Sequence, residues 1–193
     1  MSRRNTDIND LKKQAAALLQ SKLLHQAREL YNTICRIDRK DVESLCKAGM
    51  INGQLGNFRD AETWARKALK LQPGHATAHF ILGTAMHAMG RYEDAVASFN
   101  RVVRAMPDNA AVYNNLGNAL AASGRIDEAI DSYQKAVKLQ PNFAEGFNNL
   151  GSAYLSADKL QDAESNFRRA VQLTPRFSEA YNTLGTVLHR QGH

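Results

Sequence analysis

The chain has 193 residues, 44% of them hydrophobic and 23% charged, with a formal net charge of +6. That is enough apolar material to bury a core and enough charge to stay dissolved. No run approaches the roughly 18 consecutive apolar residues of a membrane span, no apolar stretch follows Arg3-Arg4 as in a secretory signal, and two cysteines cannot build a disulfide scaffold, so the expected setting is a reducing cytoplasm with no membrane partner.

The charge is unevenly placed. Residues 1–41 hold nine Lys/Arg against five Asp/Glu, residues 42–75 hold five against three, and residues 76–193 hold eleven of each. Acids and bases interleave, as in Arg91-Tyr92-Glu93-Asp94 and Arg125-Ile126-Asp127-Glu128. A continuous basic stripe, which a nucleic-acid backbone requires, is not formed, so nucleic acid is not the expected partner.

One period runs through the chain. Pro73, Pro107, Pro141 and Pro175 are each 34 residues apart, as are Gly49, Gly83, Gly117, Gly151 and Gly185, and Ala27, Ala61, Ala95, Ala129 and Ala163. Independent columns at one spacing mark a tandem array. In chain order the repeats are 8–41, 42–75, 76–109, 110–143, 144–177 and a partial 178–193, all within a single array over 1–193. The first is degenerate, with Ala15 in the glycine column and Arg39 in the proline column.

The repeat 110–143 is the most legible. Tyr113, Leu116, Gly117 and Leu120 fall at i, i+3, i+4 and i+7, one face of a helix. Ser123-Gly124-Arg125 interrupts with a residue suited to a left-handed cap. Ile126, Ala129, Ile130, Tyr133, Ala136 and Val137 form a second helical face, with Asp127 and Glu128 in its first turn where the dipole favours them. Pro141 ends it. Each repeat is therefore predicted to be two antiparallel helices of about 14 residues joined by a short turn. A last helix is predicted over 178–191, with Tyr181, Leu184, Val187 and Leu188 along one stripe. Three readings fit that stripe: an array continuing beyond this chain, self-association into a homo-oligomer, or a helix facing its own predecessor.

The pattern resembles the tetratricopeptide repeat (TPR) family, whose hallmark is W-x2-L-G-x2-Y followed by Ala, an aromatic, Ala and Pro. The matching residues are Tyr113-x2-Leu116-Gly117, Ala129, Tyr133, Ala136, Pro141, and Phe147-x2-Leu150-Gly151-x2-Tyr154, Ala163, Phe167, Ala170, Pro175. Departures are Leu45 and Asn52 in place of first-helix aromatics, Ala65 in place of the second-helix aromatic, and Asp158 in place of the turn glycine. The resemblance implies an all-α fold, a right-handed α-solenoid (TPR superhelix) of about eleven helices, whose first helices line a concave groove for a protein or extended peptide.

By that geometry, the groove of the basic N-terminal repeats carries Lys12, Lys13 and Lys47. An apolar stretch of Cys46, Met50, Phe80 and Ile81 follows. The remainder is an amide ladder of Asn114, Asn115, Asn118, Asn148, Asn149 and Asn182, with Ser152 and Thr186 beside it. An Asn side chain both donates and accepts, so it can hold a peptide backbone without reading side chains. Asn114, Asn148 and Asn182 are the favoured ligand-facing residues. Similar ladders line the TPR region of protein O-linked N-acetylglucosamine transferases. The function expected is a peptide-binding scaffold. The alternative is the substrate-recruiting TPR region of a larger glycosyltransferase- or sulfotransferase-type enzyme.

Other chemistry is not expected. The two-carboxylate clamp that some TPR domains close on acidic chaperone tails needs Lys, Asn, Asn, Lys and Arg at set groove positions. From Lys12 the series reads Ala16, Lys47, Thr77, Ile81; from Asn114 it reads Asn118, Asn149, Glu179, Thr183. His75/His79 and His189/His193 have a metal-compatible i,i+4 spacing but lack the Glu of zinc hydrolases. No catalytic residue, metal or cofactor is assigned.

Overall fold

The computed structural model describes residues 2–192, with side chains from residue 7 onward. Among the described residues there are eleven helices and no strand: α1 (Ser2–Gln20), α2 (Leu24–Ile37), α3 (Val42–Gln54), α4 (Phe58–Leu71), α5 (Ala76–Ala88), α6 (Tyr92–Ala105), α7 (Ala110–Ala122), α8 (Ile126–Leu139), α9 (Ala144–Ser156), α10 (Leu160–Leu173) and α11 (Ser178–Arg190). These are the paired helices the 34-residue period predicts. The chain divides into two compact units, residues 1–101 and 102–193, so the division falls inside α6.

In the first unit, α1 packs on α2, α2 on α3, α3 on α4 and α4 on α5, while α3 also meets α5 directly. In the second, α7, α8, α9, α10 and α11 pack successively, and α7 meets α9 as α9 meets α11. The first helices α3 and α5 thus touch in one unit, and α7, α9 and α11 in the other, which places their side chains on a shared face within each.

The turn between the two helices of a repeat is set by one residue. Lys22, Gly56, Gly90, Gly124, Asp158 and Gly192, all 34 apart, have φ of 57°, 77°, 75°, 84°, 59° and 86°. That left-handed conformation is easy for glycine and costly for a side chain. The next turn is fixed by a cap in three repeats: the side chains of Asp41, His75 and Asn109 accept from the backbone N–H of Ser44, Ala78 and Val112, each at 3.3 Å.

The core explains the glycine column. A Cβ on Gly83 would lie 2.9 Å from the Phe99 ring, one on Gly117 2.6 Å from Tyr133, and one on Gly151 3.0 Å from Phe167. Each glycine therefore seats an aromatic ring of the second helix of its own repeat. In the 42–75 repeat the aromatic is replaced by Ala65, and a Cβ on Gly49 would instead lie 3.1 Å from Ile81 Cγ2, a side chain from the next repeat. The alanine column (Ala27, Ala61, Ala95, Ala129, Ala163) is fully buried, as close helix approach demands.

Candidate functional site

The amide ladder lies on α7, α9 and α11 in the second unit, where it forms a hydrogen-bonded network. Asn114 Nδ2 donates to Glu145 Oε1 at 3.4 Å, and Asn148 Nδ2 donates to Glu179 Oε1 at 3.3 Å, the same link one repeat later. Asn149 Nδ2 reaches back to Asn114 Oδ1 at 3.0 Å and to Asn118 Oδ1 at 3.3 Å. Asn118 Oδ1 also accepts from the Tyr133 hydroxyl at 2.7 Å. Burial, with the nearby Glu145 charge, pushes the Tyr133 phenol well above its usual range, so it stays a donor. Asn115 Nδ2 donates to Ala111 O at 2.8 Å, within its own helix. Ser152 and Thr186 likewise donate to their own helices, at Asn148 O and Asn182 O.

The apolar stretch lies in the first unit. Met50, Gly53, Phe80, Ile81, Thr84 and Ala61 are among the residues lining a concavity of about 370 Å³ between α3 and α5. Phe80 is held by an edge-on contact with Phe99, ring centroids 5.9 Å apart at 64°. A second concavity of about 440 Å³ adjoins it, sharing Met50 and Gln54, and is lined by Leu19, Lys22, Leu24, Lys47 and Ile51 besides.

Family models described as "Tetratricopeptide repeat" match residues 46–105 and 148–193, and one described as "TPR repeat" matches 117–158. The chain belongs to the tetratricopeptide repeat family. No curated protein sequence matches it. Among solved structures, MamA (41-end) from Desulfovibrio magneticus RS-1 is 25% identical with a TM-score of 0.83, covering 92% of this chain and 98% of that one. YrrB, described as "a TPR protein with an unusual peptide-binding site", is 19% identical with a TM-score of 0.77, covering 94% and 97%. A thermophilic TPR protein from Thermus thermophilus is 19% identical with a TM-score of 0.72, covering 94% and 98%. The last two are alike in fold alone.

The TPR geometry corrects the ranking of the amides. Asn114 and Asn148 are only 3% and 2% exposed, because the first helix of the following repeat covers them. They are supports, and substituting them would test packing rather than binding. Asn182 is exposed, as is Thr186; Asn115, Asn118, Asn149 and Ser152 are half-buried, with faces left for contact. Lys47 is half-buried and Met50 is 39% exposed. Lys12 is tied to Asp41 by an ion pair of 2.6 Å. The self-association stripe is corrected too. Val187 is 0% exposed and Leu184 packs on the same cluster, with Phe167 and Ala170 of α10, so both serve the chain's own core. Leu188 is half-buried, and Tyr181 alone of the four is exposed.

Glu145, Glu179, Tyr133 and Gly53 complete these sites; the repeat register puts the two glutamates and Gly53 at groove-facing positions and Tyr133 on a core face, without marking any of them as a site residue. A signal for the first two existed: Glu follows Asn by 31 residues in both pairs. Of the histidines, His75 caps α5, and His79 Nε2 sits 2.8 Å from Pro73 O in the aromatic core position. His193 lies outside the described residues. Among the described residues, no helix is long and apolar enough to cross a membrane.

Proposed function

We propose that the chain is a non-catalytic protein-binding scaffold that holds an extended polypeptide by its backbone along the α7–α9 ladder. The observation that carries this reading is the hydrogen-bonding capacity left on three half-buried amides. Tyr133 and Asn149 occupy Asn118 Oδ1, which leaves its Nδ2 to donate. The Nδ2 groups of Asn115 and Asn149 are engaged, which leaves the Oδ1 of each to accept. One donor group flanked by two acceptors complements the alternating C=O and N–H of a peptide chain, independent of its side chains.

The thiols support the non-catalytic part. Cys46 Sγ is 3.7 Å from His75 Nδ1, a pairing that could serve a nucleophile. Burial instead pushes the Cys46 thiol up to about 11 and the buried Cys35 thiol up to about 12, so neither forms a thiolate near neutrality. Two buried free thiols also suit a reducing, cytoplasmic setting.

The test is a titration of fluorescein-labelled ten-residue peptides of several unrelated sequences. Asn118→Asp keeps the acceptor that Tyr133 and Asn149 use and replaces the outward donor with a charged acceptor. Combined with Asn115→Ala, it is expected to weaken every bound peptide about tenfold, near 1.4 kcal/mol for two neutral hydrogen bonds. Unchanged affinity with an unchanged circular dichroism spectrum would refute the reading.

A further inference from the structure

We infer that Gly53 opens a specificity pocket in the first unit, which takes a bulky apolar side chain from a bound polypeptide carrying a carboxylate close beside it. The inference rests on the scaffold reading above and adds what the partner must contain.

Gly53 lies within the last turn of α3 and has no backbone reason to be glycine. It is not among the positive-φ residues, and a Cβ built on it would meet only Ala61 Cβ, at 4.0 Å, an ordinary contact. Glycine within a helix is disfavoured relative to alanine. This differs from Gly83, Gly117 and Gly151, where an aromatic ring occupies the space. At the equivalent position other repeats carry Leu19, His87, Ala121 and Leu155. Here the missing side chain leaves a concavity of about 370 Å³, with Ala61 at its floor and Met50, Phe80, Ile81 and Thr84 around it. That is ample for one Leu, Met or Phe side chain. The Phe80 ring is braced by Phe99, so one wall is already fixed, and a preformed wall lowers the ordering cost of binding.

The charge around it names the neighbour. The adjoining concavity, which shares Met50 and Gln54, carries Lys22 and Lys47, and no carboxylate lines either hollow. Lys47, Met50 and Gln54 are spaced i, i+3, i+7, so cation and pocket lie about two helical turns apart at most, near 11 Å. An extended peptide spans that in about three residues. The occupant is therefore a segment in which Leu, Met or Phe stands within about three residues of Asp or Glu.

The test uses the full chain and an immobilised array of ten-residue peptides on a Ser/Ala background. One position varies among Ala, Leu, Met and Phe, and a second, one to three residues away, among Ser, Asp and Lys. Wild type is expected to retain the bulky-plus-acidic peptides at least tenfold over the Ala/Ser background. Gly53→Leu should abolish selection for the bulky residue, Gly53→Ala should largely retain it, and Lys47→Glu should invert the preference from Asp to Lys. Methyl NMR provides an arm independent of folding defects in the variants: the best peptide should shift the Met50 and Ile81 methyl signals of wild type. If peptides bind but Gly53→Leu leaves selection unchanged, or the Met50 and Ile81 signals stay put, the pocket is overturned while the scaffold reading stands. If wild type retains no peptide at all, both fall.

Discussion

Asn149 Nδ2 donates to Asn114 Oδ1 at 3.0 Å, while the residue at the equivalent place one repeat later is Thr183, whose hydroxyl turns to Glu179 O in its own helix at 2.8 Å. The acceptor that would have used that donor, Asn148 Oδ1, is buried and has no hydrogen-bond partner among the described residues. A buried unsatisfied acceptor costs about 1–3 kcal/mol. Thr183→Asn restores the donor and is expected to raise stability by about 1 kcal/mol, or about 2–4 °C in Tm for a chain of this length. A thermal melt checks it. An unchanged or lowered Tm would mean that the introduced amide bonds its own helix, as that of Asn115 does.

The glycine column supplies a test with opposite signs at one repeat position. Gly117→Ala would place its Cβ 2.6 Å from the Tyr133 ring, and that ring is buried and tied to Asn118. Overpacking of this kind costs about 1–3 kcal/mol. Gly185→Ala meets nothing within 4 Å. It should gain the helix preference of alanine, up to about 1 kcal/mol. Urea denaturation of both variants decides the matter; two shifts of the same sign would contradict the ring-seating role.

Lys22 and Asp158 hold the left-handed turn position that four glycines hold elsewhere. A side chain there costs about 1–2 kcal/mol, and glycine returns part of this through its greater freedom when unfolded. Lys22→Gly is therefore expected to stabilise by about 0.5–1 kcal/mol net. Asp158→Gly should gain less, because it also removes the 2.7 Å ion pair with Arg190. Equal or destabilising effects in a denaturant titration would show that the turn does not control stability here.

The fold was legible because its period is carried by residues with one job each: glycine under a ring, alanine at a crossing, proline past a helix end. Lys22 was not, since lysine has no turn preference and only the neighbouring columns mark its place. The site was half legible. The amides stood out by number, yet a residue on a helix face does not say whether the next helix will cover it. Burial of Asn114 and Asn148 depends on helices that begin about thirty residues later, and Glu145 and Glu179 complete their bonding from there. The register shows that Gly53 faces the groove but not its role, for a plainer reason: its contribution is the side chain it lacks.

The pair Lys12–Asp41 sets a pH dependence. Burial alone would push the Asp41 carboxyl up, but the Lys12 ammonium and the Ser44 hydroxyl and N–H hold it below its ordinary range. The same hydrogen bond to Asp41 raises the Lys12 ammonium above its usual value despite partial burial. A depressed carboxylate contributes stability above its unfolded value, near 4, and loses it as pH falls through the folded value; a raised ammonium contributes below about 10.5 and loses it as pH rises further. Lys12 is partly exposed, so the pair is worth about 0.5–1 kcal/mol. Lys12→Met should lower the urea midpoint at pH 7, and the gap from wild type should close below pH 4 and again above about pH 10.5. A gap that stays constant from pH 7 to pH 2.5 would assign the loss to the packing of the lysine stem and not to its charge.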